Sequence, residues 1–158
     1  YESDFDFYPK SLTLMSRHKI LPNIFSAMGV VVCDKAFLDV LESFESGVHQ
    51  VRPVRIFYKN GELIGGKFYY LNIVSRIDAI IVEKSEVRKY FDEKFTKREF
   101  FEIEIQSKRV LSKGKIEGKH IWRDRIMRTD IYISDEFYSK YKELNFRGLN
   151  EFYYAEEI

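Results

Sequence analysis

Residues 30–44 read VVVCDKAFLDVLESF, a short apolar run followed by an aspartate and then by apolar residues at helical spacing. The three valines predict a strand, because β-branched side chains favour extended backbone. Asp34 predicts the start of a helix, since its carboxylate can accept hydrogen bonds from the first free amides. One face of that helix collects the apolar side chains, which are Ala36, Phe37, Val40, Leu41 and Phe44. Gly47 is expected to end the helix.

The sequence on either side of this unit predicts further strands. Residues 54–58 alternate between the two faces of a strand, and Lys67 to Val74 form a second β-rich run. The glycines between them, Gly61, Gly65 and Gly66, indicate an antiparallel pair with an eight-residue loop. A short strand is also predicted at Ser11 to Met15.

The second half of the chain continues the alternation of strands and helices. Ser85 resembles the N-cap of a helix that would present Val87, Tyr90, Phe91 and Phe95 on one face. Residues 101–106 alternate Phe and Ile with Glu102, Glu104 and Gln106, which predicts a strand with one acidic, solvated face. Residues 107–119 are predicted to form a loop, and residues 130–134 a strand that leads into a helix at Asp135.

Two smaller features complete the prediction. Residues 23–29 suggest a helical turn closed by Gly29. Residues 30–34 and 131–135 are alike in type, and Gly47 and Gly148 each lie 13 residues after the aspartate of their copy. This echo is as consistent with an internal pseudo-repeat as with chance, because strand-to-helix units are common.

The predicted fold is therefore a single α+β domain with a mixed or antiparallel sheet of about five to six strands and about three helices. Residues 1–22 are interpreted as an N-terminal arm, and residues 23–158 as the domain. We allow for a truncated N-terminus because the chain begins at Tyr1 and not at Met. A chain of 158 residues has the usual size of one domain.

Composition excludes several classes of function. Lys and Arg total 26 against 25 for Asp and Glu, so the net charge of +1 gives no overall attraction to nucleic acid or anionic membranes. Cys33 is the only cysteine, which excludes an intramolecular disulfide and a cysteine-rich zinc cluster. No apolar run is long enough to cross a membrane, and no signal peptide is evident. These features favour a cytoplasmic protein.

The candidate catalytic groups do not form a recognisable constellation. His18, His49 and His120 lack the spacing of metal ligands. Cys33 precedes a helix, where a thiolate would be stabilised, but its position after three valines favours a small buried side chain. Two acids on one strand face, Glu102 and Glu104, are usually only solvated. We therefore expect no enzymatic activity, no catalytic residue, no metal and no cofactor.

The strongest local anomaly is the basic segment, Ser107 to Arg128, which carries a net charge of +6. Residues 130–158 reverse this, with seven acids against three bases. The basic segment, with Trp122 beside its cations, could bind RNA through phosphate contacts and stacking. It could equally bind an acidic protein surface, because Trp and Arg are typical interface anchors. A third reading is a solvated basic loop whose Trp packs in the core.

The order of these motifs resembles a bacterial immunity-protein family, formerly a domain of unknown function, that is encoded beside polymorphic, contact-dependent or type VI-type toxins. The residues that carry the resemblance lie between about 20 and 152. They are Leu21 to Ser26, Val30 to Leu41, Phe68 to Val74, Ile77 to Ala79, His120 to Arg123, Ile131 to Phe137 and Phe146 to Leu149. No single one of these motifs is diagnostic, so the resemblance depends on their order and spacing.

The resemblance implies a cytoplasmic antitoxin that binds a cognate protein toxin stoichiometrically and blocks its activity. It supplies no catalytic residues and leaves the oligomeric state open. Residue type and local charge predict the partner-binding residues, which are Lys119, His120, Trp122, Arg123 and Arg125, with the acidic pair Glu102 and Glu104 as the alternative face. The rival functions are an RNA-binding module that uses the basic segment, and an enzyme with an unrecognised site near Cys33 or His120.

Overall fold

Strands and short helices alternate along the residues that the computed structural model describes, which are 7–15, 20–92, 98–102, 107–128, 130–149 and 154–158. The strands are β1 (Ser11–Leu14), β2 (Ile24–Ala27), β3 (Val30–Asp34), β4 (Gln50–Tyr58), β5 (Phe68–Asn72), β6 (Arg76–Ile77), β7 (Arg88–Asp92), β8 (Arg98–Glu102), β9 (Val110–Leu111), β10 (Ile121–Asp124), β11 (Tyr132–Ile133) and β12 (Glu156–Glu157). The α-helices are α1 (Lys35–Phe44), α2 (Lys113–Ile116) and α3 (Asp135–Glu143), and a 3-10 helix spans Val82–Lys84.

These elements confirm the predicted α+β class and single domain. Within the described residues, three α-helices accompany a five-stranded mixed sheet and several smaller sheets. The domain contains two compact units. Unit 1 comprises Tyr1–Val74 and Asp135–Asn150, and unit 2 comprises Ser75–Ser134 and Glu151–Ile158.

The main sheet of unit 1 has the strand order β1-β4-β5-β3-β2. Strand β1 runs parallel to β4, and the other neighbours are antiparallel. The predicted strand near residue 11 is thus confirmed as β1, and the predicted hairpin as β4 and β5, which pair from Gln50↔Asn72 to Val54↔Phe68. One buried cluster on this sheet includes Val32, Ile56 and Tyr70.

The predicted helical turn at residues 23–29 is wrong, because β2 occupies this segment and pairs with β3. The two strands are joined by Met28 and Gly29, whose φ values are 54° and 78°. Positive φ at both central residues is the geometry of a tight two-residue hairpin turn. Cross-strand hydrogen bonds to β3 therefore replace the local helical ones that the spacing of apolar residues suggested.

Helix α1 begins as the sequence predicts. The Asp34 carboxylate accepts a hydrogen bond from the backbone N–H of Phe37 at 2.8 Å. The helix buries Phe37, Leu38 and Leu41. It packs against α3 through Phe137, whose ring meets those of Phe37 and Phe44 edge to face at centroid distances of 5.7 and 5.4 Å.

A joint of three residues, Asn23, Asp34 and Arg147, connects separate parts of unit 1. The side-chain amide of Asn23 donates to the Asp34 carboxylate at 2.7 Å, and its backbone carbonyl accepts from the Asp34 N–H at 2.8 Å. The Asn23 side-chain oxygen also accepts from the Arg147 N–H at 2.9 Å. The Asn23 joint therefore holds together the entry to β2, the start of α1 and the segment that follows α3.

Unit 2 contains three small sheets in its described residues. Strands β11, β10 and β6 form one, β9 pairs in parallel with β12, and β7 and β8 form an antiparallel hairpin. The predicted loop at residues 107–119 is wrong, since it includes β9 and α2. The predicted strand at residues 101–106 begins earlier, as β8, and residues 103–106 lie outside the described part.

The predicted helix after Ser85 is also wrong, because residues 88–92 form β7. The Ser85 hydroxyl accepts from the Val110 N–H at 2.9 Å and donates to the Ile81 carbonyl at 2.8 Å, so it closes the preceding 3-10 turn. Val87, Tyr90 and Phe91 are β-branched or aromatic residues that favour strands. Pairing with β8 decides between the two conformations, whereas Phe95 lies outside the described residues.

The two copies of the sequence echo share their order of elements and differ in packing. Strand β3 has neighbours on both sides, whereas β11 pairs only with β10 among the described strands. At Gly47 a Cβ atom would meet open space, but at Gly148 it would lie 1.6 Å from the Ile24 carbonyl oxygen. The close approach at Gly148 has no counterpart at Gly47.

Cys33 lies in the core of unit 1, as its position after three valines predicts. Its side chain is fully buried, and burial followed by the nearby Asp34 charge raises the pKa of the thiol to about 12. The thiol is therefore protonated at neutral pH and packs as a small apolar side chain.

We expect the Gly148→Ala substitution to destabilise the protein by at least about 4 kcal/mol, because the added methyl group would overlap the Ile24 carbonyl. Gly148 also has a φ of +121°, which L-residues rarely adopt. Gly47→Ala is the matched control. It has a φ of +66° with open space around the site, so it should cost only about 1–2 kcal/mol. Urea unfolding followed by circular dichroism measures both values, and equal losses would contradict the close contact.

Cys33 should resist alkylation in the folded protein. A thiol pKa of about 12 lowers the thiolate fraction at neutral pH roughly 1,000-fold below that of an ordinary cysteine, and burial blocks access as well. Iodoacetamide labelling followed by mass spectrometry should modify Cys33 only after the protein is unfolded in urea. Rapid labelling under native conditions would contradict the buried position.

Candidate functional site

Five of the seven predicted partner-binding residues occupy β10 and the residues beside it. Trp122 and Arg123 lie in the strand, His120 and Lys119 precede it, and Arg125 follows it. The acidic alternative is less defined: Glu102 ends β8, and Glu104 lies outside the described residues.

Strand β10 is held on both sides by pairing. It runs parallel to β6, with Arg123 opposite Arg76, and antiparallel to β11, with Trp122 opposite Tyr132. Three of its four side chains are buried, and Arg123 is half-buried. The strand is thus a rigid support, and exposed side chains are found at its ends.

Trp122 packs in the core of unit 2, which is the third of the readings left open by the sequence. The indole is only 2% exposed and stacks on the Tyr132 ring at a centroid distance of 5.7 Å and an interplanar angle of 17°. Ile80, Leu111 and Ile116 belong to the same buried cluster. Trp122 is consequently a core residue that holds β10 in place, and it offers almost no surface to a partner.

Asp124 lies next to the candidate site, and its role is not among those predicted from the sequence. It is fully buried, and its carboxylate accepts three backbone hydrogen bonds, from Ala79 at 2.9 Å, Ile80 at 3.0 Å and Ile126 at 2.7 Å. The carboxylate therefore fixes both the segment after β6 and the turn that carries Arg125. The available signal was alternation along β10, which places Asp124 on the same side as Trp122.

The half-buried side chains of Arg123 and His120 both form contacts within unit 2. Arg123 donates from Nη1 to the Arg128 carbonyl at 2.9 Å. Its burial, and then the nearby Arg76, lower the pKa of its guanidinium, while Asp130 opposes this shift. His120 lies 3.0 Å from the Ser134 hydroxyl through Nδ1. These contacts hold both side chains in place.

A second cation of the basic segment, Arg109, is nearly buried. It forms an ion pair with Asp130 at 2.9 Å, and its guanidinium lies 5.9 Å from the centre of the Tyr132 ring. Burial is the main reason that the pKa of Tyr132 is raised to about 12. Arg109 is therefore a structural residue, and this role could not be read from its position in a run of bases.

The basic segment is less available than its charge count suggests. Besides Arg109, Lys108 pairs with Glu156 at 2.7 Å, and Lys115 lies 3.8 Å from the Asp78 carboxylate. Lys119 and Arg125 are exposed and form no ion pair with any residue in the described ranges. These two are the predicted contact residues whose charge a partner can reach most directly.

Comparison with known proteins identifies the family to which the chain belongs. None of the described helices is long and apolar enough to span a membrane, and no group of metal-ligating side chains is found among the described residues. No curated protein matches the chain. The model of the Immunity protein family (Imm11) matches residues 2–156, which is nearly the whole sequence. The chain therefore belongs to the Immunity protein family (Imm11).

Proposed function

We propose that this protein is an immunity protein that binds a cognate bacterial toxin stoichiometrically and thereby blocks the toxin's activity in the cytoplasm of the producing cell. The observation that carries the proposal is the match of the immunity-protein family over residues 2–156. A protein with this role needs a stable, preformed surface and slow dissociation from its partner. It needs no catalytic chemistry of its own.

The environment of Cys33, the candidate nucleophile, favours binding over catalysis. A nucleophilic cysteine needs an accessible thiolate, whereas Cys33 is fully buried and its pKa is raised to about 12. Cys33 therefore lacks the accessible thiolate of an activated nucleophile.

The position of Trp122 weighs against the RNA-binding alternative. An RNA module would combine free cations with an exposed aromatic ring on which bases stack. Trp122 is buried against Tyr132, and three cations of the basic segment form ion pairs inside unit 2. A surface that retains cations but lacks a stacking platform fits an acidic protein partner better.

For the contact surface we favour the cations at the two ends of β10. Lys119 and Arg125 are exposed, and the strand between them is fixed by Trp122, Arg123 and the buried Asp124. Because Arg125 is on a turn whose backbone is held by Asp124, little loop ordering is needed on binding. His120 would then lie beside the contact, and the Glu102 and Glu104 face is the alternative if the toxin surface is basic.

Coexpression with the toxin encoded next to this gene tests the proposed function. Cells that express the toxin alone should stop growing, and cells that also express this protein should grow normally. Calorimetry with the purified pair should give a fixed stoichiometry and a dissociation constant of about 1 nM or below. Gly148→Ala, which is expected to destabilise the protein by at least about 4 kcal/mol, serves as a control that should protect less well.

Growth arrest despite folded, abundant immunity protein would contradict the proposal. So would protection without detectable binding, since occlusion requires a complex. Salt-sensitive binding of unrelated RNA, in place of the toxin, would favour the rival function.

The double variant Lys119→Glu/Arg125→Glu should slow association with the toxin about tenfold or more at low salt, because exposed interfacial charges act mainly on the association rate. The difference should shrink near 1 M salt, where charges are screened. Lys84→Glu/Lys142→Glu makes the same charge change at two exposed lysines elsewhere and is the matched control. Surface plasmon resonance measures both rates, and equal effects of the two double variants would contradict a contact at β10.

A further inference from the structure

Unit 1 contains a groove of about 640 Å³. It is formed by β4, the first residues of β5, the segment that joins these strands, and Lys10. The lining residues are Lys10, Arg52, Pro53, Val54, Arg55, Ile56, Leu63, Ile64, Gly66, Lys67, Phe68 and Tyr69. All twelve belong to the described part of the chain.

The groove is built on paired backbone. Pro53 lies opposite Tyr69 in the β4–β5 register, and the Arg55 N–H donates to the Lys10 carbonyl at 3.2 Å. The joining segment folds back onto β4, because Ile64 donates to the Ile56 carbonyl at 2.8 Å and Leu63 bridges to Phe57. The walls of the groove are therefore preformed, which lowers the entropic cost of binding a partner.

All the charged residues that line the groove are basic. Four of the lining residues, Lys10, Arg52, Arg55 and Lys67, are basic, and none of the twelve described lining residues is acidic. Since the whole chain has a net charge of only +1, this is a local concentration of cations. Cations clustered along a concave surface focus the field and attract anionic groups.

The groove also exposes apolar surface between its cations. Leu63 is 55% exposed, and Pro53 is exposed as well. The Arg55 guanidinium lies 5.9 Å from the centre of the Phe57 ring, which limits its orientation. Arginine beside exposed apolar side chains is the composition of protein interfaces. A free anion or a nucleic acid backbone would leave this apolar surface unused.

We propose that this groove binds an acidic segment of the toxin, in which carboxylates contact Arg55 and Lys67 and an apolar side chain packs on Leu63. The inference rests on the proposed function, because it makes the toxin the occupant. It adds a contact in unit 1 that is carried by different residues from those at β10. The partner is then a protein with acidic and apolar residues alternating or interspersed along one segment.

The test compares Arg55→Glu/Lys67→Glu with the charge-matched control Lys84→Glu/Lys142→Glu. All four side chains are exposed, so both double variants should fold, which circular dichroism verifies. The groove variant should bind the toxin at least about 100-fold more weakly than wild type at physiological salt, because like charges would now face each other across the contact. The control should bind within about twofold of wild type.

A groove variant that binds the toxin as tightly as wild type would overturn this inference and leave the proposed function intact. If wild type itself binds no toxin, the proposed function fails, and a fluorescein-labelled peptide of alternating Glu and Leu then tests the groove alone. Saturable peptide binding that is lost in Arg55→Glu/Lys67→Glu would support an acidic-peptide site. No saturable binding, or equal binding of a Lys and Leu peptide, would overturn it.

Discussion

The hydrogen bond between the Asn23 side-chain amide and the Asp34 carboxylate is the constraint on which unit 1 depends. The carboxylate has a second role, since it also caps α1 through the Phe37 N–H. The other end of the Asn23 side chain holds the Arg147 backbone, beside the close approach of Gly148 to Ile24. Asn23 thereby joins segments more than a hundred residues apart, and the charged acceptor makes the bond to Asp34 stronger than a neutral one.

The carboxylate of Asp124 has a structural role in unit 2 like that of Asp34 in unit 1. Both carboxylates satisfy backbone N–H groups that would otherwise be unpaired, and Asp124 does so in a fully buried setting. The cost of burying its charge is offset by three short hydrogen bonds from the backbone. In consequence the backbone of the turn that follows the four-residue strand β10, and that carries Arg125, is held in place.

Sequence patterns are sufficient to predict an element where its stabilising interactions join residues that are close in the chain. The cap at Asp34, the helix that follows it and the β4–β5 hairpin were predicted because propensity, spacing and turn residues agree there. The spacing of apolar residues predicts a helical turn at residues 23–29 and a helix from Val87 to Phe95, but this spacing also fits strands, and pairing with β3 and β8 decides between the two conformations. The site was only partly predictable, because the burial of Trp122 and the roles of Arg109 and Asp124 depend on contacts with distant residues. The groove depends on a loop that folds back onto β4, for which the sequence carries no recognisable pattern.

The main sheet ends in β1 on one side and β2 on the other, and each has only four residues. Open strand edges invite pairing with other chains, and short edges reduce that risk. At β2 the outward N–H of Ile24 already donates to the Arg147 carbonyl at 3.2 Å, so part of this edge is occupied by the chain itself. In the proposed antitoxin role the protein must be present before the toxin. Partly protected sheet edges allow it to reach a high concentration without associating edge to edge.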